Sequence, residues 1–478
     1  MANSLDLSSL LRGERQLNTA NKISLAWTLS VPAILSQLTS IVMQYSDAAM
    51  VGSLGAASTA AIGVTSTTIW LFGNLYTAAC YGYSVQIAGA VGAGDKDHSR
   101  ILFRQGFTFN ILFSLLLMLC GVLLSTPLPV LLGADPSLYA DAKAYFLIYS
   151  LAIPLSDLRF YGSASLQSSG NMRLPGILNS LTCLINIVFN FLLIFPSRTL
   201  TFGVLSLFIP GFGLGVAGAA LGTALSEGLI AVIMLFFAFF RSPYLSGSGA
   251  RLSLSSYVPQ RSYIKRALQI GTPYAVEQCT RNVALILITR IITPLGTAAV
   301  AANSLAITAE ALCYMPAVGL SAAATTLVGQ SIGAGRKDYA KSFAWITTLF
   351  GMLLLTLTGI LMYFVCPYIF AMLTPVSEVQ ALCVHILRVE LFSEPLFAAS
   401  LVASGALRGA GDTLIPCILA LASVWGVRLT LSLLLVGPWG LTGIWIAMCI
   451  ELCVRGLLFL ARLLRGKWLY PSTPRRAA

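Results

Sequence analysis

The chain has 478 residues, of which 57% are hydrophobic and 10% charged, with a formal net charge of +12 and a mean hydropathy of +0.84. Soluble domains carry about a quarter of their residues as charges, so this composition excludes a soluble globular or disordered chain and specifies a polytopic membrane protein. The positive excess is read as the Lys/Arg bias of cytoplasmic loops, not as a nucleic-acid surface.

The first twenty residues are polar, with Arg12, Glu14 and Arg15 and no apolar signal-peptide stretch, and are expected on the cytoplasmic side. Apolar runs then follow, cut by charges, prolines and loop formers. They predict twelve helical spans near 24–46, 56–83, 102–126, 139–158, 174–195, 214–240, 264–291, 297–325, 342–365, 380–402, 414–436 and 440–461. The runs do not alternate apolar with polar residues, which excludes a barrel. With the N-terminus inside, the inner segments hold most of the Lys and Arg, including Lys96, Arg100, Arg104, Arg251, Arg336, Lys337, Arg475 and Arg476. The outer ones hold Lys143, Arg198 and Arg290, so both termini are expected inside. The ten cysteines fall inside apolar runs with no CxxC, as packing residues do.

Several polar side chains stand out within the spans. Asp47 is the only charge between Lys22 and Asp95. It lies either at the outer water edge or, as the small apolar residues after it favour, inside the bundle, where a carboxylate marks a proton or ion pathway. Pro32 interrupts the same span and predicts a kink. Asn186 and Asn190 are four apart on one face of the fifth span, and Thr223 lies in the sixth. In the second half, Glu277 with Arg281 and Glu451 with Arg455 have i, i+4 spacing for neutralising pairs. Glu227, Glu310 and Arg428 are each isolated in their runs, and Glu390 and Glu394 share the tenth span. Tyr45, Trp70, Phe72, Tyr76, Tyr81, Tyr274 and Tyr314 are candidate cavity aromatics. The glycines of GAVGAG (89–94) and their partners Gly333 and Gly335 have no following Lys-Ser/Thr, so they read as helix caps and inner turns, not a phosphate loop.

An internal repeat runs through the chain at an offset of 241 residues. Pro32 meets Pro273, Gln37 meets Gln278, Leu54-Gly55 meets Leu295-Gly296, and Gly92-Ala-Gly94 meets Gly333-Ala-Gly335; Pro154, Gly170 and Pro175 meet Pro395, Gly411 and Pro416. Near each end, Gly215-x-x-Gly218 meets Gly440-x-x-Gly443 at 225, which leaves a 16-residue excess in the outer loop at 195–213. Six helices per repeat make both halves enter the membrane in the same direction. The expected architecture is therefore all-α, with 12 transmembrane helices in two six-helix bundles related by a parallel repeat: an N-terminal lobe (1–240), a cytoplasmic linker (241–263) and a C-terminal lobe with a basic tail (264–478).

The stretches SVPAILSQLTSIVMQYSDAAMVGSLG (30–55), GAVGAGDKD (89–97), INIVFNFLLIF (185–195), MPAVGLSAAATTLVGQSIGAGRKD (315–338) and SGALRGAGDTLIP (404–416) resemble the multidrug and toxic compound extrusion (MATE) transporters over nearly the whole chain. Glu277-Gln278 after Pro273 looks closer to the DinF-like branch. The resemblance implies a secondary antiporter in the cell membrane, a monomer with no cofactor and no enzymatic activity. It would export amphipathic, cationic organic compounds in exchange for H⁺ or Na⁺ by alternating access. It assigns Asp47, Asn186, Asn190 and Thr223 to a cation-coupling site, with Na⁺ a candidate at Asp47; the kink at Pro32 is then either static or one whose bend changes when Asp47 is loaded. DinF-like relatives often have Asp where this chain has Asn190. The helix-7 acid of NorM-like relatives falls on Arg281, which leaves Glu277, Glu310, Glu394 and Tyr45 as candidates for a cavity or second site. The alternative is a lipid or lipid-linked oligosaccharide flippase of the related superfamily, using Arg281, Arg388 and Arg428 for an anionic headgroup. A cavity lined by those guanidiniums would favour it; one lined by Asp47 and aromatics would favour the antiporter.

Overall fold

The computed structural model describes residues 7–13, 17–202, 205–247 and 254–470, so the expectations for Arg15, Arg251, Arg475 and Arg476 lie outside the described residues. A short helix α1 (Leu7–Arg12) precedes α2 (Thr19–Gly52), α3 (Ala56–Ala93), α4 (Lys96–Leu124), α5 (Leu128–Leu131), α6 (Tyr139–Ser168), α7 (Arg173–Ile194) and α8 (Gly215–Phe236). The second half comprises α9 (Arg261–Ile292), α10 (Thr297–Gly333), α11 (Lys337–Leu373), α12 (Ser377–Glu390), α13 (Glu394–Gly409), α14 (Leu414–Ser423) and α15 (Thr430–Arg465).

Among the described residues, seven helices are long and apolar enough to cross a membrane, by length and composition, the last being the continuous Leu414–Arg465 stretch. That stretch holds two spans: Pro438 removes an amide and Gly440 leaves helical geometry with a positive φ, which turns the chain back. The tenth span is likewise one unit broken at 391–393, between α12 and α13. With α3, α6 and α9, long helices that fall short of that apolar composition, twelve spans result, inverted relative to a soluble protein. Leu123, Val232, Phe240 and Leu361 are exposed where lipid would lie, while Asn110, Asp157, Asn186, Gln330 and Glu394 are fully buried.

The repeat expected from sequence recurs in the backbone. Glycines at corresponding positions share a positive φ: Gly94 with Gly335, Gly170 with Gly411, and Gly215 with Gly440. The two halves meet along α2, α3, α9 and α10. At the Lys/Arg-rich end, a side chain at Gly92 would strike the carbonyl of Gln330, and one at Gly333 would strike the carbonyl of Gly89. These contacts are mirror partners at the 241 offset, so a pseudo-two-fold axis passes between α3 and α10, as a parallel repeat requires. The reading of these glycines as caps and turns holds for Gly94 and Gly335. It is corrected for Gly89, Gly92 and Gly333, which lie within helices and serve the crossing between halves.

The outer loop at 195–213 is not irregular. It forms an antiparallel hairpin of β1 (Pro196–Phe202) and β2 (Leu205–Phe212), which supplies the 16-residue excess of the first half.

Candidate functional site

α2, α7 and α8 pack side by side and bring four polar side chains into one hydrogen-bonded row. Asn190 Nδ2 donates to Asp47 Oδ1 at 2.6 Å and to Asn186 Oδ1 at 3.1 Å; Asn186 Nδ2 donates to Thr223 Oγ1 at 3.2 Å. The one-turn spacing of the two asparagines on α7 aims both at α2 and α8, and both are fully buried. Asp47 is partly buried, with its carboxylate turned toward α7, where Asn190 reaches it. Asn190 Oδ1 has no hydrogen-bond partner among the described residues. Its carboxamide reaches this position because Gly222 on α8 has no Cβ: one there would collide with that oxygen. The row therefore combines one carboxylate with neutral oxygen donors, and one of its buried acceptors is unfilled.

Pro32 lies where α2 is clasped from two sides. A Cβ on Gly176 of α7 would stand 2.8 Å from the Pro32 carbonyl, and one on Gly319 of α10 would stand 2.6 Å from the Ala33 carbonyl. The helix is continuous there, yet the proline removes one of its hydrogen bonds at the point where α2 touches both halves.

Asp47 is not the only acid inside the first bundle. Glu227, isolated in its run, receives Arg159 Nη2 from α6 at 3.0 Å, while Arg159 Nη1 donates to Asn179 Oδ1 at 3.2 Å; Ser156 completes the set by bonding Glu227. Asp157 is fully buried, with Cys80 Sγ donating to it at 3.1 Å. Sequence reasoning passed over Asp157 and Arg159. Their signal was the charged pair in SDLRF in the middle of an apolar run.

The second-half candidates are not gathered at Asp47. Glu277 pairs with Arg281 at 3.6 Å and Glu451 with Arg455 at 3.1 Å, as the spacing predicts. A cavity of about 250 Å³ lies mainly in this half and reaches Tyr81 of the first. It is lined by Arg281, Arg408, Arg428 and Arg455, by Glu277 and Glu310, and by Tyr81, Tyr274, Tyr314 and Phe397. Glu390 and Glu394 are fully buried at the α12–α13 break and do not line it; both Glu394 oxygens lack a hydrogen-bond partner among the described residues. Tyr45 is elsewhere, its hydroxyl donating to the Thr308 carbonyl at 3.1 Å and so tying α2 to α10. Of the other expected wall aromatics, Trp70 is exposed and Phe72 and Tyr76 pack in a separate core of the first bundle. Arg388 is also outside the cavity, stacked 4.5 Å from the Tyr363 ring. Asp47 and the aromatic wall thus occupy different places, and the guanidiniums share the wall with the aromatics.

The MatE family matches this chain twice, over residues 32–192 and 273–434, two segments whose starts are separated by the repeat offset. The chain is 31% identical over 456 residues to the probable multidrug resistance protein NorM of Thermotoga maritima, covering 92% of each. It is 25% identical over 450 residues to the multidrug resistance protein MdtK of Yersinia pestis, covering 92% of this chain and 94% of that one. In fold it is similar to a MOP superfamily transporter from Pyrococcus furiosus, with a TM-score of 0.87 at 19% identity over 98% of this chain and 100% of that one. It is also similar to a mutant of the Vibrio cholerae MATE transporter VcmN, with a TM-score of 0.85 at 18% identity over 95% and 99%. The twelve-span duplicated fold, the doubled family match and the full-length relatives together place this chain in the MatE family of secondary transporters.

Proposed function

We propose that the protein is an antiporter of the cell membrane that exports amphipathic organic solutes in exchange for H⁺ or Na⁺, with Asp47, Asn186, Asn190 and Thr223 as the coupling site. The observation that carries this reading is the row from Asp47 through Asn190 and Asn186 to Thr223, which joins three helices through one carboxylate. An isolated acid inside a bundle is costly unless it is used, and a proton or a sodium ion are the cations that such an oxygen set accepts. Loading Asp47 removes or reorients the acceptor that holds Asn190, which loosens α2 from α7. The missing hydrogen bond at Pro32 then lets the outer part of α2 shift against the clasp at Gly176 and Gly319. In this reading the lobes are residues 1–240 and 264–478 and the linker is 241–263. Both termini face the cytoplasm, because the Lys/Arg-rich connections lie at that end, and one chain is the working unit.

The test is efflux from proteoliposomes under an imposed pH gradient and, separately, a Na⁺ gradient. Wild type is expected to respond to one of the two and Asp47→Asn to neither. Equal export by both proteins under both gradients would sink the proposal. Arg281 and Arg428 on the cavity wall favour the second reading, a flippase for a lipid with an anionic headgroup. That activity predicts gradient-independent scrambling of a labelled lipid in the same vesicles.

A further inference from the structure

The charges around the cavity of the second half are not all matched. Arg281 is neutralised by Glu277 and Arg455 by Glu451. Arg408 and Arg428 have no carboxylate within 4.0 Å among the described residues, and the Nε of each is buried without a hydrogen-bond partner there. Arg408 is sandwiched between two rings, 4.6 Å from Tyr81 of the first bundle and 4.8 Å from Tyr274 of the second. Arg428 Nη2 rests on the Met448 thioether, at 2.8 Å. Glu310 also lines the cavity without an ion-pair partner among the described residues, so the four guanidiniums are set against three carboxylates, Glu277, Glu310 and Glu451, and a positive charge is left over.

A half-buried guanidinium with no carboxylate in contact keeps its planar donors available, and these match carboxylate, sulfonate or phosphate. The rest of the wall suits an apolar or aromatic body: Tyr274, Tyr314, Phe397, Leu401 and Leu452. Fixed polar groups in an otherwise apolar pocket set the orientation and the charge preference of a ligand.

From these features we propose that the cavity takes an amphipathic organic anion, whose acidic group is held by Arg408 or Arg428 and whose apolar body lies against the tyrosines and Phe397. This reverses the expectation of a cationic solute, which had joined Asp47 to the aromatics; the two lie apart. The proposal deepens the exporter reading and rests on it for the claim that the bound anion is cargo. Arg408 stacks on Tyr81 across the boundary between the halves, so an anion at Arg408 sits where the two bundles must part.

The test is equilibrium fluorescence binding to the full-length protein in phosphatidylcholine nanodiscs, with dansylglycine as the anion and dansylcadaverine as the cation carrying the same fluorophore. Dansylglycine is expected to bind, and Arg408→Gln or Arg428→Gln to weaken it by about tenfold to a hundredfold, the loss of a charge-assisted contact. The matching Lys variants are expected to restore part of the affinity, which separates lost charge from misfolding. Nanodiscs containing phosphatidylglycerol distinguish the source: if they abolish dansylglycine binding, the anion site stands and its natural occupant is a lipid headgroup. Absence of dansylglycine binding, tighter dansylcadaverine binding, or unchanged affinity in both Gln variants would overturn the proposal. No gradient is present, so such a failure leaves coupling at Asp47 standing, and an Asp47→Asn variant that binds dansylglycine normally but does not export it separates the two readings.

Discussion

Gly92→Ala and Gly333→Ala test what holds the two halves together at their Lys/Arg-rich ends. In this conformation each new methyl would overlap backbone of the other half: the Cβ at Gly92 would stand 2.6 Å from the Gln330 Cα, and that at Gly333 would stand 2.9 Å from the Gly89 carbonyl carbon. Neither obstacle is a side chain that can rotate away, so the cost is that of overpacking, about 1–3 kcal/mol. The cost falls only on conformations in which the ends touch, and it shifts the population toward separated ends by about 5- to 150-fold. Gly63→Ala on the same helix is the control. Nothing lies within 4 Å of its Cβ, and alanine there is expected to favour the helix by about 0.5–1 kcal/mol. Spin labels at Asp95 and Arg336 in a cysteine-free background report the distance between the ends. The longer-distance component is expected to grow in Gly92→Ala and Gly333→Ala and to stay unchanged in Gly63→Ala. Identical distance distributions in all three variants would refute the view that these glycines latch this conformation.

Breaking the Arg159–Glu227 pair on one side, with Arg159→Met, is expected to destabilise the first bundle by about 3 kcal/mol, because it leaves a buried carboxylate uncompensated. The double variant Arg159→Met/Glu227→Leu is expected to recover much of that loss, read as the midpoint of thermal aggregation in detergent. Gly222→Val is expected to push the Asn190 carboxamide off Asp47 and abolish gradient-driven export while dansylglycine binding persists. Loss of binding in step with export would point to general misfolding. Deleting residues 197–212 splices Pro196 to Gly213, whose Cβ position is already 3.4 Å from the Pro196 Cα. The second half makes the same turn without a hairpin, so the shortened protein is expected to elute as a single symmetric peak by size exclusion; an aggregated product would show that the hairpin supports the fold.

The residues of the polar row were legible because polar groups are rare in the spans. Asp47 is conspicuous as a lone charge, and the i, i+4 spacing of Asn186 and Asn190 fixes their common face before any packing is known. Glu227 looked isolated for the opposite reason: its counter-ion Arg159 lies two spans earlier in the chain and reaches it only when α6 packs on α8. Tyr45 and the other aromatics had no assignable neighbours either, since a side chain in an apolar helix faces lipid, core or cavity with the same local pattern.

The sequence by itself determined the twelve spans, the duplication and the turn glycines, because these depend on hydropathy, on the absence of a Cβ at positive φ and on residue identity at a fixed offset. Gly215 and Gly440, matched in sequence at an offset of 225, both take up a positive φ. Only the tertiary structure decided which charges neutralise each other and which are left over. Ion pairing falls steeply with distance, and the distances between helices are set by side chains far apart in the chain. Arg281, Arg408, Arg428 and Arg455 are alike in sequence, each an arginine in or beside an apolar run. Packing gives two of them a glutamate and leaves Arg408 and Arg428 without one among the described residues, facing a cavity.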